Sequence, residues 1–198
     1  MRVLLAPGPG EALLQYQGKW PVFLADGEKI SAGPAPYHSS NTLAHLMRCM
    51  NEVAGDPLAV WMALCHDAGK LTTPRAMLPH HYGHEERGAI LAKVWARELG
   101  LGAEYAEAGA LTALWHMRAG RYRAMRAGKK YRLLTTIQPL PFSTQFWQVV
   151  DADTRSHLGR IAEADWRIIV EAQNAGESEQ MQMSLLARNG SMRLGNAV

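Results

Sequence analysis

His66 and Asp67 stand side by side in ALCHDAGKLTTP (63–74), where an apolar run meets Gly69-Lys70. A packed core gains little from an adjacent imidazole and carboxylate. A divalent metal ion gains a good deal: imidazole binds while neutral at pH 7, and a carboxylate adds charge and can bridge two ions. Neighbouring side chains on a helix diverge by about 100°, so an ion shared by this pair sits in the wedge at a frayed helix end. Its other ligands must come from other helices, as in metal sites built inside bundles. The eight histidines are His38, His45, His66, His80, His81, His84, His116 and His157. Most fall at expected helix ends. His45 precedes the pair on one helix, and Asp151 and Asp153 follow on a late one. A single histidine on an apolar face is usually just hydrogen-bonded; this distribution points instead to a metal.

A second feature is basic. RAGRYRAMRAGKKYR (118–132) carries Arg118, Arg121, Arg123, Arg126, Lys129, Lys130 and Arg132. Such a stripe is either a solvated helix face with a loop or a phosphate-binding surface. Tyr122 and Tyr131, interleaved with the cations, are able to stack on bases. Trp61, Trp95, Trp115 and Trp147 fall at helical apolar positions and read as core.

From Ser39 onward the periodicity is helical. Ser40 or Asn41 caps a helix with Leu43, Leu46, Met47, Met50 and Val53 on one face. Asp56 caps the next, with Pro57 in its first turn; it runs through LAVWMALCHDA and stops at Gly69. Further helices are expected over about 85–99 and 103–117, from Ser143 through TQFWQVVDADT, and over RIAEADWRIIVEA. QMQMSLLAR in the tail is weakly amphipathic. In residues 1–36, RVLLA, ALLQY and WPVFLA are separated by PGPG, GKW and DGEK, which predicts a small β-hairpin or meander. The expected fold is mainly α: a helical bundle at 37–175, a short β-hairpin-like appendage at 1–36 and a tail at 176–198.

The 198 residues are 47% hydrophobic and 20% charged, with net charge +3. That suits one compact domain with a real core. No apolar run is long enough to span a bilayer, and the four-residue apolar run in MRVLLAPGPG is too short for a signal peptide. A cytoplasmic protein without membrane contact is expected. Cys49 and Cys65 read as thiols and not as a disulfide framework.

A helix histidine, then HDAGK, then a distant aspartate resembles the HD-domain phosphohydrolase superfamily. AVWMALCHDAGKLTTP, LPHHYGHEERGA and VVDADTR resemble, more closely, the C-terminal HD domain of bacterial CCA-adding tRNA nucleotidyltransferases, over about residues 36–158. Residues 1–36 show neither the Gly-Gly-Ser loop nor the paired aspartates of the nucleotidyltransferase head, so this chain is not expected to add CCA by itself. The resemblance implies His66 and Asp67 as the signature ligands and Asp153, in preference to Asp151, as the late one. His45 is chosen as first ligand. His38 and Asn41 are the alternatives, the latter if Asn41-Thr42-Leu43 aligns with the family's His-Thr-Leu. His84 and His116 match positions that hold a second ion in some relatives, with Asp67 bridging. The site then holds two ions, one, or none tightly, drawn from Ni, Mn, Mg, Co, Fe and Zn.

The implied activity is a metal-dependent phosphohydrolase, a phosphomonoesterase or a phosphodiesterase acting on a 2′,3′-cyclic nucleotide, with a nucleotide or RNA-like phosphoester as substrate. Asp67 and Lys70 are the candidate catalytic residues. Lys70, Arg87, His81, Arg121 and Arg123 are candidate substrate contacts, with nucleic acid as a partner through 118–132. Lys70 also fits as a helix C-terminal cation, and Arg87 as a bidentate phosphate ligand or a partner of Glu86. The alternative is a nonenzymatic RNA- or nucleotide-binding module on the same scaffold, against which the buried ionisable trio His66, Asp67 and Asp153 argues. A third reading, a hydrolase of nucleotide second messengers, lacks the extension after His116 that such enzymes carry.

Overall fold

The computed structural model describes residues 1–15, 27–34 and 40–195. It divides into two compact units, Met1–His116 and Met117–Val198.

In the first unit, α1 (Pro9–Leu14) leads to α2 (Thr42–Glu52), α3 (Pro57–Cys65), α4 (His84–Glu98) and α5 (Ala103–Ala119), whose last turn passes the unit boundary. Two 3₁₀ turns, Ala68–Thr72 and Arg75–Met77, join α3 to α4. Asn41 caps α2 by accepting from the Ala44 amide. Asp56 caps α3 by accepting from the Leu58 and Ala59 amides, and Pro57 supplies a preset φ at the first position. α3 is apolar on all sides and buried from Ala59 to Cys65, as a helix surrounded by others must be. Trp61 lies at its centre, fully buried, with its indole N–H donating to the Tyr105 carbonyl at 2.7 Å. Leu46, Met50, Met62, Leu64 and Trp95 are also fully buried.

The N-terminal β expectation is not met. Among the described residues there is no strand, only a single bridge between Ser31 and Asn41. ALL of ALLQY lies in α1, because Pro9 at the first position favours a helix there and Gly10 lets it seat on α2. A Cβ on Gly10 would meet the Met47 carbonyl at 2.7 Å. The Gly10 amide donates to Asn51, whose side chain donates in turn to Glu11. RVLLA forms turns; WPVFLA and His38 lie outside the described residues.

In the second unit, α6 (Ala127–Ile137), α7 (Ser143–Thr154), α8 (Leu158–Asn174) and α9 (Glu179–Gly195) follow a 3₁₀ turn at Tyr122–Ala124. Tyr122, Leu133, Leu134, Ile137, Phe146 and Ile169 are fully buried. Asp165 is buried on α8, accepting from Tyr122 Oη at 3.0 Å and Asn189 Nδ2 at 2.7 Å, with Lys130 Nζ 3.6 Å away. The basic stretch is therefore mostly helix, and one of its cations, Lys130, is buried as a structural partner. None of the described helices is long and apolar enough to cross a membrane.

Candidate metal centre

The helix carrying the His66-Asp67 pair ends earlier than the pattern suggested. α3 stops at Cys65, His66 is its C-cap, and Asp67 leaves the helical region with φ −113° and ψ 8°. That break turns the two adjacent side chains toward a common point, which a continuous helix would not do. The 3₁₀ turn that follows packs on the N-terminus of α4. Gly69 permits the approach: a Cβ there would lie 1.9 Å from the His84 carbonyl oxygen and 2.6 Å from the Gly88 amide nitrogen. Gly83, at φ +70°, makes the left-handed turn into α4. These two glycines bring His84 beside Asp67.

Asp67 lies between two pairs of imidazoles. Its Oδ2 is 3.2 Å from His45 Nε2 and 3.5 Å from His66 Nε2. Its Oδ1 is 3.4 Å from His84 Nε2 and 3.3 Å from His116 Nε2. His45 and His66 approach each other at 3.1 Å between Nε2 atoms. All five residues are buried. His45, not Asn41, thus reaches the carboxylate from α2, one helical turn beyond the cap.

Three of the four rings share one tether. His66 Nδ1 bonds to the Ala63 carbonyl, His84 Nδ1 to the His81 carbonyl and His116 Nδ1 to the Ala113 carbonyl, at 2.7, 2.8 and 3.0 Å. Each carbonyl lies three residues back. A carbonyl can only accept, so the proton resides on Nδ1 and the Nε2 lone pair faces Asp67. This is the tautomer a metal-binding imidazole needs, with the outer nitrogen held by the backbone. His45 differs: Arg48 donates to its Nδ1 at 3.4 Å, leaving the proton on Nε2. To present a lone pair there, His45 takes the other tautomer while Arg48 stays on Glu52.

Electrostatics fit the same picture. Burial alone would raise the Asp67 carboxyl, but the Lys70 ammonium and the surrounding imidazoles, His66 first, outweigh it and hold the group well below the usual carboxylate range. Burial lowers His84, more than the nearby Asp67 charge raises it, so its ring stays neutral. Asp67 Oδ1 and His84 Nε2 are buried and make no hydrogen bond. Two acceptors facing each other at 3.4 Å without a proton between them are costly to bury, and a cation between them would remove that cost. Two nitrogen or oxygen donors on one tetrahedral ion, each about 2.0–2.1 Å from it, lie about 3.3 Å apart. The contacts of 3.2–3.5 Å around each Asp67 oxygen match that edge. The residues therefore fit a divalent metal on either side of the carboxylate.

Lys70 points inward, its ammonium donating to Asp67 Oδ2 and the Ala32 carbonyl, both at 2.7 Å. His81 bridges the Thr73 hydroxyl at 2.8 Å and the Ser31 carbonyl at 2.9 Å; burial lowers its pKa, mainly through loss of solvation. The Arg87 guanidinium donates to the Thr72 and Thr73 hydroxyls and the Tyr82 carbonyl, fastening the 3₁₀ turn to α4. In the second unit, Asp151 Oδ1 accepts from the Gly159 amide at 3.1 Å, doing the work of an N-cap for α8. Asp153 is half-buried on α7; the expectation that it is a ligand rests on the VVDADTR motif alone. Arg121 and Arg123 are exposed around the 3₁₀ turn. One residue at the cluster was not singled out by its sequence: Cys49, whose Sγ lies 3.9 Å from His45 Nε2. Its position four residues after His45 was the available signal.

An HD domain family model matches residues 37–175. The chain belongs to the HD domain family. Among curated relatives, it is similar to a protein named "Multifunctional CCA protein" from Chromobacterium violaceum, 36% identical over 58% of this chain and 30% of the relative. Proteins of the same name from Polaromonas naphthalenivorans, 36% identical over 65% of this chain and 32% of the relative, and Paraburkholderia phytofirmans, 30% identical over 79% and 37%, are similar too. The chain spans about a third of the length of the relatives it matches. No solved structure matches it.

Proposed function

We propose that this HD domain is a metal-dependent phosphohydrolase that cleaves a phosphoester of a nucleotide or an RNA end, as a phosphomonoesterase or on a 2′,3′-cyclic nucleotide. The observation that carries the proposal is the buried Asp67 carboxylate with His45 and His66 on one oxygen and His84 and His116 on the other. That arrangement offers ligands for two divalent ions bridged by one carboxylate, with Asp153 added on the strength of its motif. Divalent ions held there supply a water acidic enough to attack near neutral pH and offset charge on the phosphoryl oxygens.

The chain's own residues do the positioning. His66, His84 and His116 are fixed by backbone carbonyls, so their lone pairs are set before any ligand arrives. Lys70 holds Asp67 Oδ2 in place and keeps the carboxyl ionised. The exposed cations Arg121, Arg123, Arg126 and Lys129 make no ion pair among the described residues and suit a phosphate backbone, which supports an RNA-like substrate.

The test is hydrolysis of a nucleoside 2′,3′-cyclic phosphate and of a generic phosphomonoester by protein stripped with a chelator and then reloaded with Ni²⁺, Mn²⁺, Co²⁺, Zn²⁺ or Mg²⁺. The proposal expects turnover to return with at least one ion and to be absent from an Asp67→Asn variant. Equal turnover by stripped protein and by that variant would refute it.

A further inference from the structure

We propose that Cys49 is a thiolate ligand for the ion held by His45 and His66, which makes that half of the centre selective for thiophilic divalent metals; the inference rests on the metal-centre reading above. α2 places His45 and Cys49 four residues apart, on one face and one turn from each other. Both are buried. The ligand atoms of His45, Cys49 and His66 lie within 4.8 Å of one another, and Asp67 Oδ2 adjoins both imidazoles.

The geometry separates this thiol from an ordinary core cysteine. A sulfur at about 2.3 Å and a nitrogen at about 2.0 Å on one tetrahedral ion lie roughly 3.5 Å apart. Cys49 Sγ is 3.9 Å from His45 Nε2, so a small rotation about its own χ1 closes the difference. Cys65 provides the contrast. Its sulfur packs toward Gly109 on α5, where an added Cβ would meet it at 2.9 Å, and burial pushes its thiol well above the ordinary value. The neighbouring half carries an independent sign of a cation: Asp67 Oδ1, which faces His84 and His116, is buried without a hydrogen bond, and the same carboxylate presents Oδ2 to the half beside Cys49.

The chemical consequence is an unequal pair of sites. One half offers two imidazoles, a carboxylate oxygen and a sulfur; the other offers two imidazoles and a carboxylate oxygen. Sulfur ligands favour Zn²⁺, and by the same softness Co²⁺ and Cd²⁺, over Mg²⁺ and Mn²⁺, whose preferred donors are oxygens. Coordination displaces the thiol proton to solvent.

The experiment is Co²⁺ titration of the metal-free full chain, followed by absorption spectroscopy, on wild type, Cys49→Ser and, as control, Cys65→Ala. The expected result is a near-ultraviolet sulfur-to-cobalt charge-transfer band in wild type and Cys65→Ala that is missing from Cys49→Ser, beside visible ligand-field bands present in all three. Cd²⁺ binding by equilibrium dialysis should weaken in Cys49→Ser by at least about tenfold, the smallest loss expected when even a supporting contact to a ligand goes, with Mn²⁺ binding little changed. Ligand-field bands in wild type without the sulfur band overturn the Cys49 assignment and leave the metal centre standing. No cobalt bands at all overturn both. The wild-type spectrum decides between these even if the serine variant folds poorly.

Discussion

Consider replacing Asp67 by asparagine in the metal-free protein. The carboxylate is 2% exposed and its partner Lys70 is 6% exposed on the side chain, with 2.7 Å between the charged atoms. Removing one member of such a pair strands the other charge out of water, at a cost of about 3–5 kcal/mol. The lower end applies here, because Lys70 keeps the Ala32 carbonyl as an acceptor. Lys70→Met should cost about as much, since Asp67 keeps only its histidine contacts. If the two charges sustain each other, Asp67→Asn with Lys70→Met should cost well under the sum of the singles. Singles of about 3 kcal/mol each and a double of about 3 kcal/mol give a coupling near 3 kcal/mol, the upper end for residues in contact. Urea unfolding of the four stripped proteins measures all of this. A saturating metal should then add about 2.7 kcal/mol to wild type at a hundredfold excess over Kd, and nothing to the double variant. Singles that simply add, with coupling below about 0.5 kcal/mol, would refute the claim that Lys70 acts through Asp67.

Gly69→Ala puts a Cβ into the His84 backbone and should destabilise by about 3 kcal/mol or more; an unchanged thermal melt would show that the turn does not need that approach. Asp151→Ala should cost about 1 kcal/mol through loss of the bond to Gly159, whereas Asp151→Asn should cost much less, and equal losses in urea would sink the capping role. His81 and His84 are held below the ordinary histidine value chiefly by burial, so the unfolded chain binds protons first as pH falls. Stability of the stripped protein should therefore decline from about pH 6.5 downward, and His81→Gln should flatten that decline in a pH series of melts. Charge reversal at Arg126, Lys129 and Arg132 should weaken RNA binding and make its salt slope shallower by about one unit per lost phosphate contact; an unaltered slope would make the stripe a solvated surface.

What the chain disclosed by its pattern was local. The HDAGK signature, the capping by Asp56 and the helices around His84 and His116 follow from residue types and spacing over one or two turns. His45 was within reach because it lies on the same predicted helix as Asn41. Two kinds of feature stayed hidden. Short segments with weak periodicity, ALLQY above all, fit strand and helix alike, and α1 was decided by Pro9 and by docking through Gly10. Contacts between distant residues were the other kind: Lys130 reads as one more cation until it meets Asp165, thirty-five positions on. Lys70 likewise reads as a phosphate ligand, and only the fold shows its ammonium on Asp67 and the Ala32 carbonyl.

The three tethers from Nδ1 to a carbonyl three residues back have a consequence for how a metal would come and go. Each is a local bond, made within or just before a ring's own helix. These three ligands are therefore oriented by their own local backbone and do not wait for an ion to gather them. A cage assembled in advance spends little conformational freedom on capture and stays standing after release. A metal in this centre should therefore load and leave without unfolding the chain, at the pace of ligand exchange in a folded protein.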